Sequence, residues 1–136
     1  MKVPRLLRRF VQRVRERRSP EMGNLGPFGE EQARRFLRRR GYRILESNVT
    51  TPLGELDIIA RKGSTLACVE VKARREGGPH DATDAISLGK VQRLKRCVEY
   101  IARRPAFRKL HPRLDAVFVT VHPDGTSAVE HVESIT

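Results

Sequence analysis

The chain has 136 residues, enough for one compact domain with a short extension. No apolar stretch approaches the ~18 residues that a transmembrane helix requires, which argues against a helical membrane protein. The formal net charge of +12 predicts an acidic partner, either nucleic acid or an anionic membrane surface.

Residues 1–22 are expected to form a basic extension and linker in front of a domain over residues 23–136. Apolar residues in the extension recur at spacings of three and four, which predicts an amphipathic helix over residues 1–18. They are Val3, Leu6, Leu7, Phe10, Val11 and Val14. Such a helix would serve as a nucleic-acid arm, as a peripheral membrane anchor, or as a solvated extension, and the residues leave these uses open.

The first half of the domain reads as a helix followed by three strands. Helical periodicity predicts a helix over Pro27–Arg40, and Gly41 is well placed to end it. A strand is expected over Tyr42–Ser47. Two further apolar segments, Gly54–Ala60 and Leu66–Lys72, read as a hairpin.

The second half adds a helix and two strands. Glycine, proline and charged residues predict a mobile loop over Arg74–Ala85. A helix starting at Asp84 or Ser87 is expected to reach Arg103, and strands are expected over Leu114–Val121 and Ala128–Val132. The order α-β-β-β-α-β-β predicts an α/β fold with a mixed sheet flanked by helices.

Three charged residues stand out in the hairpin: Asp57, Glu70 and Lys72. Antiparallel pairing through a loop of about four residues places Asp57 opposite Glu70 and Glu55 opposite Lys72. Burying such charges is costly unless something binds them, and a divalent cation held beside a lysine is a familiar arrangement for phosphodiester cleavage. The alternative is a structural ion pair between Asp57 and Lys72, with Glu70 solvated.

The ordered motifs resemble the PD-(D/E)xK nuclease superfamily, and more closely the YraN-like family of small bacterial proteins within it. The motifs are Gly29-Glu30 with Ala33, Gly41-Tyr42, Gly54-Glu55-Leu56-Asp57, Val69-Glu70-Val71-Lys72 with Arg74, and a helix from Lys90 to Glu99-Tyr100-Ile101. The resemblance covers residues 23–132 and implies a restriction-endonuclease-like fold.

The resemblance also implies roles for the site residues. Asp57 and Glu70 would bind Mg²⁺ or Mn²⁺, with the backbone carbonyl of Val71 as a further ligand. The ion would polarise the scissile phosphate and acidify the attacking water. Lys72 would orient that water or steady the charge on phosphorus. Glu30, expected on the buried side of the first helix, would join the metal cluster; the alternative is an acid favoured by the helix dipole.

Three basic residues are predicted to contact nucleic-acid phosphates. Arg74 and Arg75 are expected to leave the strand on the same side, and Lys90 lies near the start of the second helix, where a solvated surface position is the alternative. The resulting hypothesis is a Mg²⁺-dependent endonuclease acting on DNA, including branched or damaged DNA. The alternative is a non-catalytic nucleic-acid-binding protein with the same fold.

The cysteines and histidines show no pattern typical of a metal site. Cys68 and Cys97 lack metal-ligand spacing and are expected to be reduced core residues of a cytoplasmic protein. The four histidines are scattered and are expected on the surface or in loops. A homodimer would allow both strands of a duplex to be cut, although no residue identifies an interface.

Overall fold

A computed structural model describes residues 9–14, 25–77 and 86–135 of the chain. The described part contains six strands, two α-helices and a short 3₁₀ helix at Pro105–Phe107. In chain order they are β1 (Arg9–Val14), α1 (Leu25–Arg39), β2 (Arg43–Thr51), β3 (Gly54–Lys62), β4 (Thr65–Arg75), α2 (Leu88–Ala102), β5 (His111–Val121) and β6 (Ser127–Val132).

All six strands form one mixed sheet in the order β1-β6-β5-β4-β3-β2. Strands β4 and β5 are parallel and are connected through α2, since a parallel pair requires a crossover. The other neighbours are antiparallel. Helix α1 packs on one face of the sheet through Ala33, Phe36 and Leu37, and α2 packs on the other through Val91, Leu94, Cys97, Val98 and Ile101.

The predicted α/β class and the order α-β-β-β-α-β-β are confirmed from α1 to β6, and the arrangement is restriction-endonuclease-like. Gly41 ends α1 as predicted. Its φ of +90° suits glycine, and the next N–H, that of Tyr42, donates to the carbonyl of Leu37 at 2.9 Å. Cys68 and Cys97 are both buried and unpaired, as expected.

The predicted N-terminal helix is wrong where the structure describes it. Residues Arg9–Val14 form β1, which pairs antiparallel with β6 from Arg9 opposite Val132 to Val14 opposite Ser127. The edge of β6 offers backbone hydrogen bonds to this segment, and such pairing overrides a local helical pattern. The rest of the predicted helix and the boundary between residues 22 and 23 lie outside the described residues.

The strands β2 to β6 are all longer than predicted. Strand β2 continues to Thr51, and β4 continues to Arg75, so that the expected loop does not begin at Arg74. Residues 78–85 of that loop lie outside the described part. None of the described helices is long and apolar enough to cross a bilayer.

Candidate active site

The candidate site lies where β3 and β4 separate. The two strands pair from the turn at Gly63-Ser64 as far as Ile58, which lies opposite Val69. Continuing this register places Asp57 opposite Glu70, as the sequence predicts. The Glu70 carboxyl group lies within hydrogen-bonding reach of the Asp57 carboxyl group, so the two side chains meet at this split.

At the point where the two strands separate, the side chain of Asp57 replaces the backbone of β3 as the hydrogen-bonding partner of β4. Its Oδ2 accepts a hydrogen bond from the backbone N–H of Val71 at 2.7 Å, in place of a backbone carbonyl. Beyond this point β2 is the one strand of the described sheet that pairs with β3. There Glu55 lies opposite Thr50 and accepts a hydrogen bond from its hydroxyl at 3.2 Å. The expected cross-strand pair of Glu55 with Lys72 is therefore wrong, because the strands diverge before reaching it.

Glu70 faces α2. Leu66 and Cys68, which precede it at the same alternation on β4, belong to the core beneath that helix. Glu70 is 5% exposed, and its Oε1 lies 2.7 Å from Nζ of Lys90. The hydroxyl of Ser87 caps α2 by accepting a hydrogen bond from the Lys90 N–H at 3.1 Å, which fixes the first helical turn at the site.

Asp57 and Glu70 lie together in a partly buried site. Burial raises the pKa of Asp57 to about 6, against the hydrogen bond from Val71, which lowers it. The Glu70 carboxyl group, within hydrogen-bonding reach, raises the pKa of Asp57 further, and the ammonium of Lys90 lowers it. The structure thus brings Asp57 and Glu70 together, as predicted, and adds an ion pair with Lys90 that the sequence did not predict.

Lys72 lies two residues beyond Glu70 on the same face of β4. Its ammonium makes no hydrogen bond or ion pair with the part of the chain that the structure describes. Arg74 continues the same alternation, whereas Arg75 points to the face covered by α1, because β4 runs as a regular strand through Arg75. The expectation that Arg74 and Arg75 leave the strand on the same side is therefore wrong.

Glu30 approaches from the opposite face, which α1 covers. Gly29 is buried against β4, where an added Cβ would lie 2.5 Å from Cβ of Ala73. This close approach places Glu30 beside the stretch of β4 that follows Glu70. The Glu30 carboxylate lies 3.9 Å from Nη1 of Arg34, and among the described residues it has no contact with the two site carboxylates. A metal-binding role for Glu30 stays a prediction.

A second buried acid lies on the α1 face and was missed by the sequence analysis. Asp115 of β5 is fully buried and accepts two hydrogen bonds from the Arg113 guanidinium, both at 2.8 Å. Arg40 donates to Nδ1 of His131 at 2.6 Å, so the Nε2 proton of His131 goes to Asp115 at 2.8 Å. Burial alone raises the pKa of Asp115, but the hydrogen bonds from His131 and Arg113 hold it below the ordinary value.

The signal for this network was present in the sequence. Asp115 interrupts the otherwise apolar segment Leu114–Val121, and a lone acid in a buried strand requires a partner. His131 follows the buried Ser127 and Val129 at a period of two, which places it on the inward face of β6. The expectation that all histidines lie on the surface or in loops is therefore wrong for His131.

Fold and site together define a class of protein: an α/β domain of restriction-endonuclease-like topology with a carboxylate pair at a split between two strands. The family model for "Uncharacterised protein family UPF0102" matches residues 29–119. The chain belongs to this family, which is the YraN-like family that the motifs indicated. The matched span contains every predicted site residue, from Glu30 to Lys90.

Curated relatives agree over most of the chain. A UPF0102 protein of Caldicellulosiruptor saccharolyticus is 43% identical over 95 residues, covering 70% of this chain and 80% of that protein. UPF0102 proteins of Syntrophotalea carbinolica and Kineococcus radiotolerans are each 37% identical, over 108 and 112 residues. They cover 79% and 82% of this chain and 87% and 92% of their own lengths. Their names state no activity, so the chemistry has to be argued from the site.

Proposed function

We propose that this protein is a metal-dependent nuclease of the PD-(D/E)xK type that binds DNA and hydrolyses its phosphodiester bonds. The observation that carries the proposal is the pair of adjacent carboxyl groups, Asp57 and Glu70, at the split between β3 and β4. Keeping two carboxylates charged in a partly buried site costs free energy unless a cation neutralises them. Carboxylate oxygens suit a hard divalent cation.

The donor set suits Mg²⁺ or Mn²⁺. Asp57 and Glu70 would hold the ion together with the backbone carbonyl of Val71, and all three are oxygen donors. No group of three or more His, Cys, Asp and Glu side chains among the described residues is placed to hold a metal. Water or substrate oxygens would therefore complete the coordination, as Mg²⁺ commonly requires. When bound, the ion would supply Lewis-acid polarisation of a phosphate oxygen and a more acidic water.

Lys72 suits an electrostatic role beside the pair. Its ammonium is on the face of Glu70 and is unpaired within the described residues, so it is available to contact a phosphate oxygen or an attacking water. Arg74 lies further along the same face, where a neighbouring phosphate is expected. Arg75, on the opposite face, would reach nucleic acid only from the other side of the sheet.

A positively charged surface extends from the site along α2 and supports nucleic acid as the partner. The exposed side of the helix and its C-terminal cap carry one acid, Glu99, against four basic residues: Arg93, Lys95, Arg96 and Arg103. Past the helix, an open pocket is lined by Arg61, Arg108 and Lys109 together with Pro105, Ala106 and Leu110. Contacts of lysine and arginine with phosphates supply affinity without reading sequence.

A cleavage assay tests the proposal. Single-stranded, nicked and branched DNA would be incubated with Mg²⁺ or Mn²⁺ and either the wild type or an Asp57→Ala, Glu70→Ala double variant. We expect metal-dependent product that the double variant fails to form. Glu55→Ala is the matched control, because this exposed acid on β3 bonds to Thr50 and should leave cleavage intact. Cleavage that persists in the double variant would contradict the proposal.

A non-catalytic nucleic-acid-binding protein is the second candidate. The ion pair with Lys90, which neutralises Glu70 without a metal, favours it. This alternative predicts no cleavage under any condition and DNA binding that neither Ca²⁺ nor the double substitution changes. Fluorescence anisotropy of labelled DNA, recorded with and without Ca²⁺, separates the two candidates.

A further inference from the structure

The ammonium of Lys90 contacts the Glu70 carboxylate oxygen that a metal ion would need as a ligand. Its Nζ lies 2.7 Å from Oε1 of Glu70, a direct contact that an inner-shell cation would also make. The same ammonium acts on Asp57, whose pKa it lowers. One side chain from α2 thus supplies positive charge to both acids of the candidate site.

We propose that Lys90 is the resident counter-ion of the carboxylate pair and competes with a divalent cation for Glu70. The inference rests on the proposed metal site and adds a step to it, since metal binding has to displace the ammonium. Once displaced, Lys90 is free to bind a phosphate of the nucleic acid. Binding of metal and binding of nucleic acid are then coupled, each favouring the other.

The geometry allows this exchange without disturbing the helix. Ser87 caps the first turn, and Val91 and Leu94 anchor it in the core, so the backbone of α2 can stay in place. The side chain of Lys90 is 35% exposed and the side chain of Glu70 is 7% exposed. The hydrated ammonium of Lys90 ends a flexible four-carbon chain. Lys90, rather than the strand-bound Glu70, is therefore the partner that moves.

The test measures Mn²⁺ binding to the full chain without nucleic acid, by electron paramagnetic resonance of free Mn²⁺. Lys90→Met should bind Mn²⁺ about tenfold more tightly than the wild type. In the wild type the ion pair of Lys90 with Glu70 leaves only a fraction of the molecules able to bind the metal, and the variant removes this ion pair. Lys95→Met, which removes the same charge from an exposed position of α2, should match the wild type. Lys90→Arg retains the charge and should not show the gain.

The outcomes separate this inference from the proposed function. Equal or weaker binding by Lys90→Met overturns the inference, while wild-type binding that Glu70→Gln abolishes leaves the metal site standing. If neither the wild type nor Lys90→Met binds Mn²⁺ in a Glu70-dependent way, both proposals fail. Thermal unfolding with and without Mn²⁺ is the second measurement: a larger Mn²⁺-induced rise in Tm for Lys90→Met supports competition and shows that the variant is folded.

Discussion

Gly29→Ala tests how closely α1 packs on the strand that carries Glu70. The added Cβ would lie 2.5 Å from Cβ of Ala73, well inside the ~3.5 Å of ordinary carbon contact. Both carbons are attached directly to backbone, so no side-chain rotation relieves the overlap and α1 or β4 has to shift. Overpacking costs ~1–3 kcal/mol, against a gain of ~0.5–1 kcal/mol for alanine over glycine in a helix. We expect the free energy of unfolding to fall by about 1–2 kcal/mol.

Urea unfolding of a double-mutant cycle measures this contact. With Ala73→Gly present, the nearest atoms to a Cβ at position 29 are Ala73 Cα at 3.7 Å and Val71 Cγ1 at 3.8 Å, both ordinary contacts. Gly29→Ala should then no longer destabilise the protein, giving a coupling free energy of about 2 kcal/mol. Gly26→Ala is the control on the same helix, since nothing lies within 4 Å of its added Cβ. Equal losses for Gly29→Ala in both backgrounds would refute the reasoning.

Two further predictions concern stability. Asp115→Asn should lower the free energy of unfolding at neutral pH by roughly 3–5 kcal/mol, because the Arg113 guanidinium loses its buried charged partner. Since the folded pKa of Asp115 lies below its unfolded value of about 3.9, the wild-type advantage is present above that pH and declines as the pH falls through the folded pKa. Unfolding curves between about pH 7 and pH 3 check this, and a pH-independent advantage would exclude it. Ser87→Ala should cost ~1 kcal/mol in urea unfolding by removing the cap of α2, with Ser87→Thr as the control that retains a hydroxyl.

Local patterns accounted for the elements that depend on neighbours in the chain. The apolar stripes of α1 and α2 and the glycine after α1 predicted the two helices. The alternation in β3 and β4, together with the length of the loop between them, was sufficient to place Asp57 opposite Glu70. The segment Arg9–Val14 was different, because its partner β6 lies at the other end of the chain. Its apolar spacing suits a helix, and only the long-range pairing makes it a strand.

The contacts around the site depended on information that a local pattern does not carry. Lys90 meets Glu70 only because α2 crosses the face on which Glu70 and Lys72 project. Glu30 stands on the other face for the same kind of reason, since α1 packs there. Which helix covers which face is a property of the whole topology. The sequence could therefore identify Glu30, Glu70 and Lys90 as candidates, but it could not predict which of them are in contact.

Two aspartates of the same sheet show opposite electrostatic behaviour, and the contrast bears on the role of the site. Asp115 is satisfied entirely by protein groups, namely Arg113, His131 and the N–H of Ser134 at 3.0 Å, and its pKa is lowered. Asp57 accepts one backbone hydrogen bond and faces a second acid, Glu70, and burial raises its pKa to about 6.

The fold can therefore neutralise a buried carboxylate completely, and on the α1 face it does so. At the split between β3 and β4, the described residues supply two acids with one paired ammonium, that of Lys90. A purely structural aspartate at position 57 would gain from a fixed basic partner of the kind that Arg113 provides, because incomplete compensation costs stability. Retaining uncompensated carboxylate oxygens is understandable if they bind a cation from outside the chain. In that view the carboxylate pair gives up stability for binding, as functional sites commonly do.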